Sequence, residues 1–243
     1  LHNGLVLLLH LNNQSTIGEN DTVFYDFSGN NNNGSCTLYT NCPEINSTAK
    51  FGKALQYNKT DQVNIKVLDH TSLRLQNFTI SAWVRPIANT GYRAIVEKDN
   101  GAGGTRNYWL GLSGGEAGYG AEWSLLLLGA SGGGSDDIKS VSSTVLDNSQ
   151  WYFVTSIVRG LTSEIYVNGR LEGTDTHTGT VYTSTEPVEI GDTVQAFNYA
   201  WDGTIDEVAI WNRSLTAEEV YELYSRGADV RNGTDFPSTS YLV

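Results

Sequence analysis

An all-β fold is what this chain predicts: two antiparallel sheets packed as a jelly-roll sandwich, with one short C-terminal helix. Three observations carry it. Short runs rich in Val, Ile, Tyr and Trp alternate with Gly, Asn, Ser and Asp punctuation, the pattern of antiparallel strands and turns. The segment FTISAWVRP alternates strictly, setting Phe78, Ile80, Ala82 and Val84 on one face and Thr79, Ser81, Trp83 and Arg85 on the other. Only LTAEEVYELYSRG has a helical period. Many short strands, long Gly-rich loops and one helix suit a sandwich better than a barrel or propeller.

The 243 residues, 39% hydrophobic, are enough for one domain around one core. The opening GLVLLLH is too short to span a bilayer and lacks a basic leader and a small-residue cleavage site, so it reads as a first strand buried on both faces. A chain that starts at Leu1 and contains no Met is expected to be a processed or excised piece. Further strands are expected in AKFGKALQY, VNIKV, FTISAWVRP, AIVEKD, YWLGLSG, EWSLLLLG, SVSSTVLD, WYFVTSIVRG, SEIYVNGRLEG, VEIGDT and TIDEVAIWN. Within SEIYVNGRLEG, Asn168-Gly169 supplies the positive backbone angles of a tight hairpin turn. Ile205, Val208 and Ile210 cannot share a face under strict alternation, which predicts a bulge near Asp206-Glu207 that re-aims a carboxylate towards a neighbouring loop. In the helix, Leu215, Val220, Leu223 and Tyr224 share a face, Ser214 or Thr216 caps the start, and Gly227 ends it. The domain is placed at residues 1–227 and a polar tail or linker at 228–243.

The formal net charge of −12 disfavours nucleic acid and anionic membranes, both of which are bound through Lys and Arg. Cations and neutral ligands are the expected partners. No segment reads as a membrane span. Cys36 and Cys42 enclose a loop that closes into a disulfide in an oxidising compartment. Asn-x-Ser/Thr acceptors stand at Asn13, Asn20, Asn33, Asn46, Asn58, Asn77, Asn212 and Asn232, eight of 21 asparagines, and point to an exported glycoprotein.

The ordered set GLVLLLHLNN, DFSGNNNNG, FTISAWVRP, WYFVTSIVRG with EIYVNG, and GTIDEVAIWNRSLTAEEVYELY resembles the LamG-like family of concanavalin A-type jelly rolls, from Gly4 to Gly227. The resemblance implies an extracellular, non-catalytic carbohydrate-binding or adhesion module with a structural calcium ion. Carried over residue by residue, it places Asp26, Ser28, Gly29, Asn30, Asn32 and Asp206 at the ion. Asn31 stands where the family has Gly, and Asn33, a glycan acceptor, is left facing outward. Asp, Asn and backbone oxygens are the hard donors that calcium takes. The competing reading is that Asp26 and Asp206 cap turns through side-chain hydrogen bonds without metal.

Other motifs are weighed against plainer readings. GLSGG matches a nucleophile elbow with Ser113 as the serine, but the GEAGYGAEW that follows cannot form the helix such an elbow needs. A glycan hydrolase or lyase on this sandwich needs two carboxylates on one face. Asp206 and Glu207 are adjacent, and the spacings of Glu186, Glu189 and Asp192 do not keep one strand face. His2, His10, His70 and His177 lack metal-ligand spacing. Tyr92, Arg93, Trp109, Tyr119, Trp123, Tyr199 and Trp201 lie in or beside Gly-rich loops where rings stack on sugars, although Trp83, Trp109, Trp123, Trp151 and Trp211 also suit the core. Tyr92, Arg93, Tyr199 and Trp201 are taken as the ligand-binding set, the three rings being expected to stand exposed. The expected function is a calcium-stabilised lectin or adhesion module with a glycan or glycoprotein ligand. The alternative is a glycosylated structural subunit of a surface or filament assembly, with neighbouring domains.

Overall fold

A computed structural model describes residues 1–36, 42–61, 63–87, 91–99, 106–113, 124–130, 137–193 and 199–228. In chain order the strands are β1 (Leu5–Leu9), β2 (Val23–Phe24), β3 (Gly34–Ser35), β4 (Glu44–Asn46), β5 (Ala54–Tyr57), β6 (Ile65–Val67), β7 (Phe78–Pro86) and β8 (Arg93–Lys98). They continue with β9 (Tyr108–Ser113), β10 (Ser124–Ala130), β11 (Asp137–Val141), β12 (Tyr152–Arg159), β13 (Thr162–Val167), β14 (Arg170–Thr176), β15 (Val188–Ile190) and β16 (Gly203–Trp211), and the helix α1 spans Ala217–Ala228.

Every strand pairing is antiparallel. One sheet runs β14-β13-β12-β7-β16-β5-β4 with β1 also paired to β16, and the other runs β11-β10-β9-β8-β15-β6-β3-β2. The predicted alternation of β7 holds. Phe78, Ile80, Ala82 and Val84 enter the core between the sheets and meet Ile65, Val96, Leu110, Val188 and Ile190 of the second sheet. Trp83 faces the other way, into a smaller core with Leu8, Phe153, Ala209 and Trp211 that Leu215, Val220 and Leu223 cover. The inner row is wholly apolar because a sheet face left to water would forfeit about 25 cal/mol for each Å² it could bury, whereas Trp83 shares its face with the buried Thr79 and Ser81.

The helix starts in a capping box. Glu219 N donates to Thr216 Oγ1 (3.3 Å) and Thr216 N donates to the Glu219 carboxylate (2.9 Å). Gly227 does not end the helix as expected; it lies inside α1, where a β-carbon would overlap the Trp83 ring. The Asn168-Gly169 turn has φ of +50° and +75°, as a two-residue hairpin needs. SVSSTVLD is not a strand of its own, since β11 ends at Val141. Short β2, β3 and β4 were not expected, because two- and three-residue strands among Asn, Gly and Ser carry no period to read.

The bulge in β16 lies where predicted. The register with β7 shifts between Asp206 and Ala209, Glu207 takes φ +51°, and Ile205, Val208 and Ile210 all reach the inner core. On its other edge β16 pairs with β5 through Ile205 and with β1 from Val208. The bulge thus occupies the gap between two partners, where a slip of one residue interrupts no ladder on that edge.

Candidate functional site

The asparagine run forms the loop from β2 to β3 and is organised by Asp26. Asp26 Oδ1 accepts from Leu8 N (2.9 Å) and Ser28 N (2.8 Å), and Oδ2 accepts from Ser28 Oγ (2.7 Å) and Asn32 N (2.9 Å). Asn30 Nδ2 donates to Leu5 O (3.2 Å), Asn32 Nδ2 to Val6 O (2.8 Å), and Phe27 N to Leu8 O (2.9 Å). The loop therefore satisfies backbone groups of β1 as a neighbouring strand would. Gly29 (φ +88°) and Asn31 (φ +59°) take the left-handed conformations of the turn. Asn33 divides its amide: Oδ1 accepts Asp26 N (2.9 Å), while the residue stays exposed.

This donor set does not fit the calcium site implied by the resemblance. A carboxylate has about four lone-pair positions, and four protein donors already occupy those of Asp26. Ser28 Oγ is likewise engaged, donating to Asp26 and accepting from Asn30. Asp206 serves a different loop, its Oδ2 accepting Lys50 N (3.0 Å) and Phe51 N (2.9 Å). Burial, and then the neighbouring Glu207 charge, raise its carboxyl well above the usual range. Among the described residues no three His, Cys, Asp or Glu side chains gather at metal-binding distance. The bulge does re-aim carboxylates, but to other targets. Glu207, wholly buried, meets His10 Nδ1 at 2.8 Å. Burial lowers the His10 pKa, and the charge and hydrogen bond of Glu207 more than offset that, so the imidazole is raised.

The expected ligand residues come together in part. Tyr92 lies 5.2 Å from Tyr199 and 6.3 Å from Trp109, ring centroid to centroid, and all three cluster on Ala94 of β8. Ala94 N donates to Tyr199 O (2.7 Å), which ties the returning loop to β8. Tyr92, Arg93 and Tyr199 are half-buried. Burial lowers the Arg93 pKa and the charges of Asp202 and Asp192 oppose it. Asp202 also borders a cavity of about 410 Å³ with Tyr57, Asn58, Asp61 and Ile87. Trp201 corrects the expectation: it is 0% exposed, within the inner core, and cannot stack on a ligand. Tyr119 and Trp123 lie outside the described residues, as does the end of GLSGG.

One row was missed. Lys66, Glu189, Glu97 and Trp109 are cross-strand neighbours on β6, β15, β8 and β9, in register across the outer face of the second sheet. Lys66 Nζ pairs with Glu189 at 2.9 Å. Burial pushes the Glu97 carboxyl up to about 8, against a hydrogen bond from Thr193 and with the Glu189 charge adding to the rise. Asp192 nearby is pushed up to about 7, again first by burial. The sequence signal was a charge directly after a β-branched residue in IKV, VEK and VEI, but aligning the three needed the register. Glu97 and Glu189 are thus a carboxylate pair on one face, yet they are 2% and 5% exposed, closed to a substrate.

Cys36 and Cys42 form a disulfide with a Cα separation of 5.4 Å. Of the eight glycan acceptors, Asn20, Asn33, Asn58, Asn77 and Asn212 are exposed and Asn13 and Asn46 half-exposed, while Asn232 lies outside the described residues with the 229–243 tail. No helix among the described residues is long and apolar enough to cross a membrane.

A family model described as the concanavalin A-like lectin/glucanases superfamily matches residues 58–221. No curated protein matches the chain. The structure is similar to the binding domain of Paraclostridial Mosquitocidal Protein 1, with TM-score 0.68 and 20% identity over 91% of this chain and 52% of that one. It is similar to domain 4 of AbnA, a GH43 extracellular arabinanase from Geobacillus stearothermophilus solved with arabinotriose, with TM-score 0.68 and 20% identity over 90% of this chain and 97% of that one. It is also similar to the binding domain of Botulinum Neurotoxin DC in complex with SialylT, with TM-score 0.61 and 16% identity over 93% and 52%. The chain spans about half the length of these toxin binding domains.

Proposed function

The chain belongs to the concanavalin A-like lectin/glucanase superfamily, and from that premise we propose that it is an extracellular, non-catalytic carbohydrate-binding or adhesion module. Its saccharide site is the patch of Tyr92, Tyr199 and Arg93 at the start of β8. The observation that carries this is the pair of half-buried tyrosine rings 5.2 Å apart beside a guanidinium flanked by carboxylates. Rings pack on the C–H face of a sugar, while charged groups bond its hydroxyls. The likeness to a domain solved with arabinotriose, at nearly full coverage of both chains, supports a saccharide ligand. The burial of Glu97 and Glu189 supports a module without catalysis. The disulfide and the surface-placed glycan acceptors support export.

Glycan-array binding followed by titration of the best saccharide tests the reading. Tyr92→Ala and Tyr199→Ala should each weaken binding about tenfold. Unchanged affinity in both variants, with melting preserved, would remove the patch from consideration. Release of reducing ends from the bound saccharide would overturn the non-catalytic assignment.

A further inference from the structure

A second binding crevice lies on the opposite side of the sandwich, between α1 and the β13–β14 hairpin. Its volume is about 460 Å³, and its walls include Thr144, Asn168, Arg170, Glu172, Tyr221 and Tyr224. Such a volume holds a small ligand.

Two features lie outside the packed core. Tyr221 is 58% exposed, on the flank of α1 that does not enter the core. Arg170 is exposed and its side chain forms no hydrogen bond or ion pair with the described residues, whereas Arg74, Arg106, Arg159, Arg213 and Arg226 all pair with carboxylates. An unpaired guanidinium beside an exposed ring in a chain of net charge −12 is an arrangement that folding does not require.

The remaining groups are held in place. The Tyr221 and Tyr224 centroids are 6.2 Å apart at 56°, and both rings lie so near Gly169 that a β-carbon there would stand 3.0–3.2 Å from them. Glu172 is fixed by Thr144 N (2.8 Å) and Thr144 Oγ1 (2.5 Å). Asn168 Oδ1 accepts Phe153 N (2.9 Å), which fixes the amide and leaves Nδ2 as a donor. The crevice thus presents an angled aromatic platform, a rigid acceptor and two donors. A carboxylate accepts the hydrogens of neighbouring hydroxyls, while guanidinium and amide N–H groups donate to hydroxyl oxygens. Glu172 and the net negative charge repel acidic ligands, so the matching chemistry is a neutral ring with adjacent hydroxyls and an apolar face.

We propose that this crevice binds a neutral saccharide as a second site, remote from the Tyr92 patch, so that one module engages a polysaccharide at two points. The inference rests on the carbohydrate-binding reading and extends it. Two weak sites on one rigid body raise the avidity for a repeating polymer without new contacts.

The full chain is titrated calorimetrically with neutral arabino-, gluco- and manno-oligosaccharides and with uronic-acid oligosaccharides, alongside Tyr92→Ala, Tyr221→Ala, Tyr221→Phe and Arg170→Ala. Circular dichroism confirms folding, and of the three side chains altered Tyr221 and Arg170 are exposed and Tyr92 is half-buried. Wild type is expected to bind a neutral saccharide at two sites. Tyr221→Ala and Arg170→Ala should each weaken one of them about tenfold, and Tyr221→Phe should retain it, because the ring face does the packing. Loss of all binding in Tyr92→Ala overturns the crevice and leaves the first patch standing. Loss in Tyr221→Ala alone upholds the crevice and removes the patch. Wild-type stoichiometry of one, unchanged by Tyr221→Ala, overturns the crevice, as does a preference for uronic acids that depends on Arg170. No saccharide binding by wild type overturns both.

Discussion

Replacing Glu97 by Gln tests whether a buried carboxyl on the second sheet controls stability. The amide keeps the size and the acceptor for Thr193 but cannot ionise. In the folded chain the carboxyl is raised from 4.5 to about 8, chiefly by burial. The native state therefore holds this proton more tightly than the unfolded one. The stability it contributes is fully present below about pH 4.5, falls as pH rises, and is gone above about pH 8. A displacement of about three and a half pH units at about 1.4 kcal/mol each sets a ceiling of about 5 kcal/mol. Coupling to Glu189 and Asp99 makes about 2–4 kcal/mol the expected effect. Against a total stability of about 5–15 kcal/mol, that is easily read. Urea unfolding of wild type and Glu97→Gln at pH 5, 7 and 8.5 is the assay. The two should agree at pH 5 within about 1 kcal/mol, and the variant should be the more stable at pH 8.5. Asp192, raised to about 7 for the same reason, adds a further decline to both proteins. A difference that stays constant with pH, or a variant less stable at pH 8.5, would refute the burial argument.

Because four protein donors fill the Asp26 carboxylate, EDTA is expected to leave the melting temperature unchanged; a fall restored by calcium would show an ion at the loop after all. Asp26→Ala should cost about 2–4 kcal/mol in denaturant unfolding, since it strands buried donors of β1 and its loop, and a loss below about 0.5 kcal/mol would contradict the hub. His10→Ala leaves Glu207 buried without its partner and should cost about 3–5 kcal/mol near neutral pH, most of it recovered in His10→Ala/Glu207→Gln. Asn20 and Asn58 each accept the hydroxyl of the Thr two residues on and make no Nδ2 hydrogen bond to the described residues, whereas Nδ2 of Asn13 and Asn46 donates to Asp21 and Gln56. Peptide mass spectrometry after secretion should find Asn20 and Asn58 the more fully glycosylated, and the reverse order would refute this.

Local chemistry was enough for much of this protein. The period of two in FTISAWVRP placed Trp83 opposite Phe78 and Ile80, and the misfit of Ile205, Val208 and Ile210 announced the β16 bulge. Asn168-Gly169 announced the hairpin, and Ser214 or Thr216 the helix start, which the structure assigns to Thr216 with Glu219. Each depends on residues within a few positions of one another, where backbone geometry and side-chain period act directly. The candidate sites were less legible. The Tyr92–Tyr199 pair was anticipated as loop aromatics, but a Gly-rich neighbourhood does not say which ring turns inward, and Trp201 went to the core. Glu97 and Glu189 are separated by 92 residues, and only the β8–β15 register sets them side by side. The same holds for Arg170 and Tyr221, joined when α1 packs beside the hairpin. The asparagine run was recognisable as a built loop, yet its purpose depended on β1 needing partners for its backbone. The sequence by itself determined where strands, turns and the helix form, because those are short-range energies. Only the tertiary structure decided which polar groups meet, because hydrogen bonds made between distant segments select one register and one loop placement.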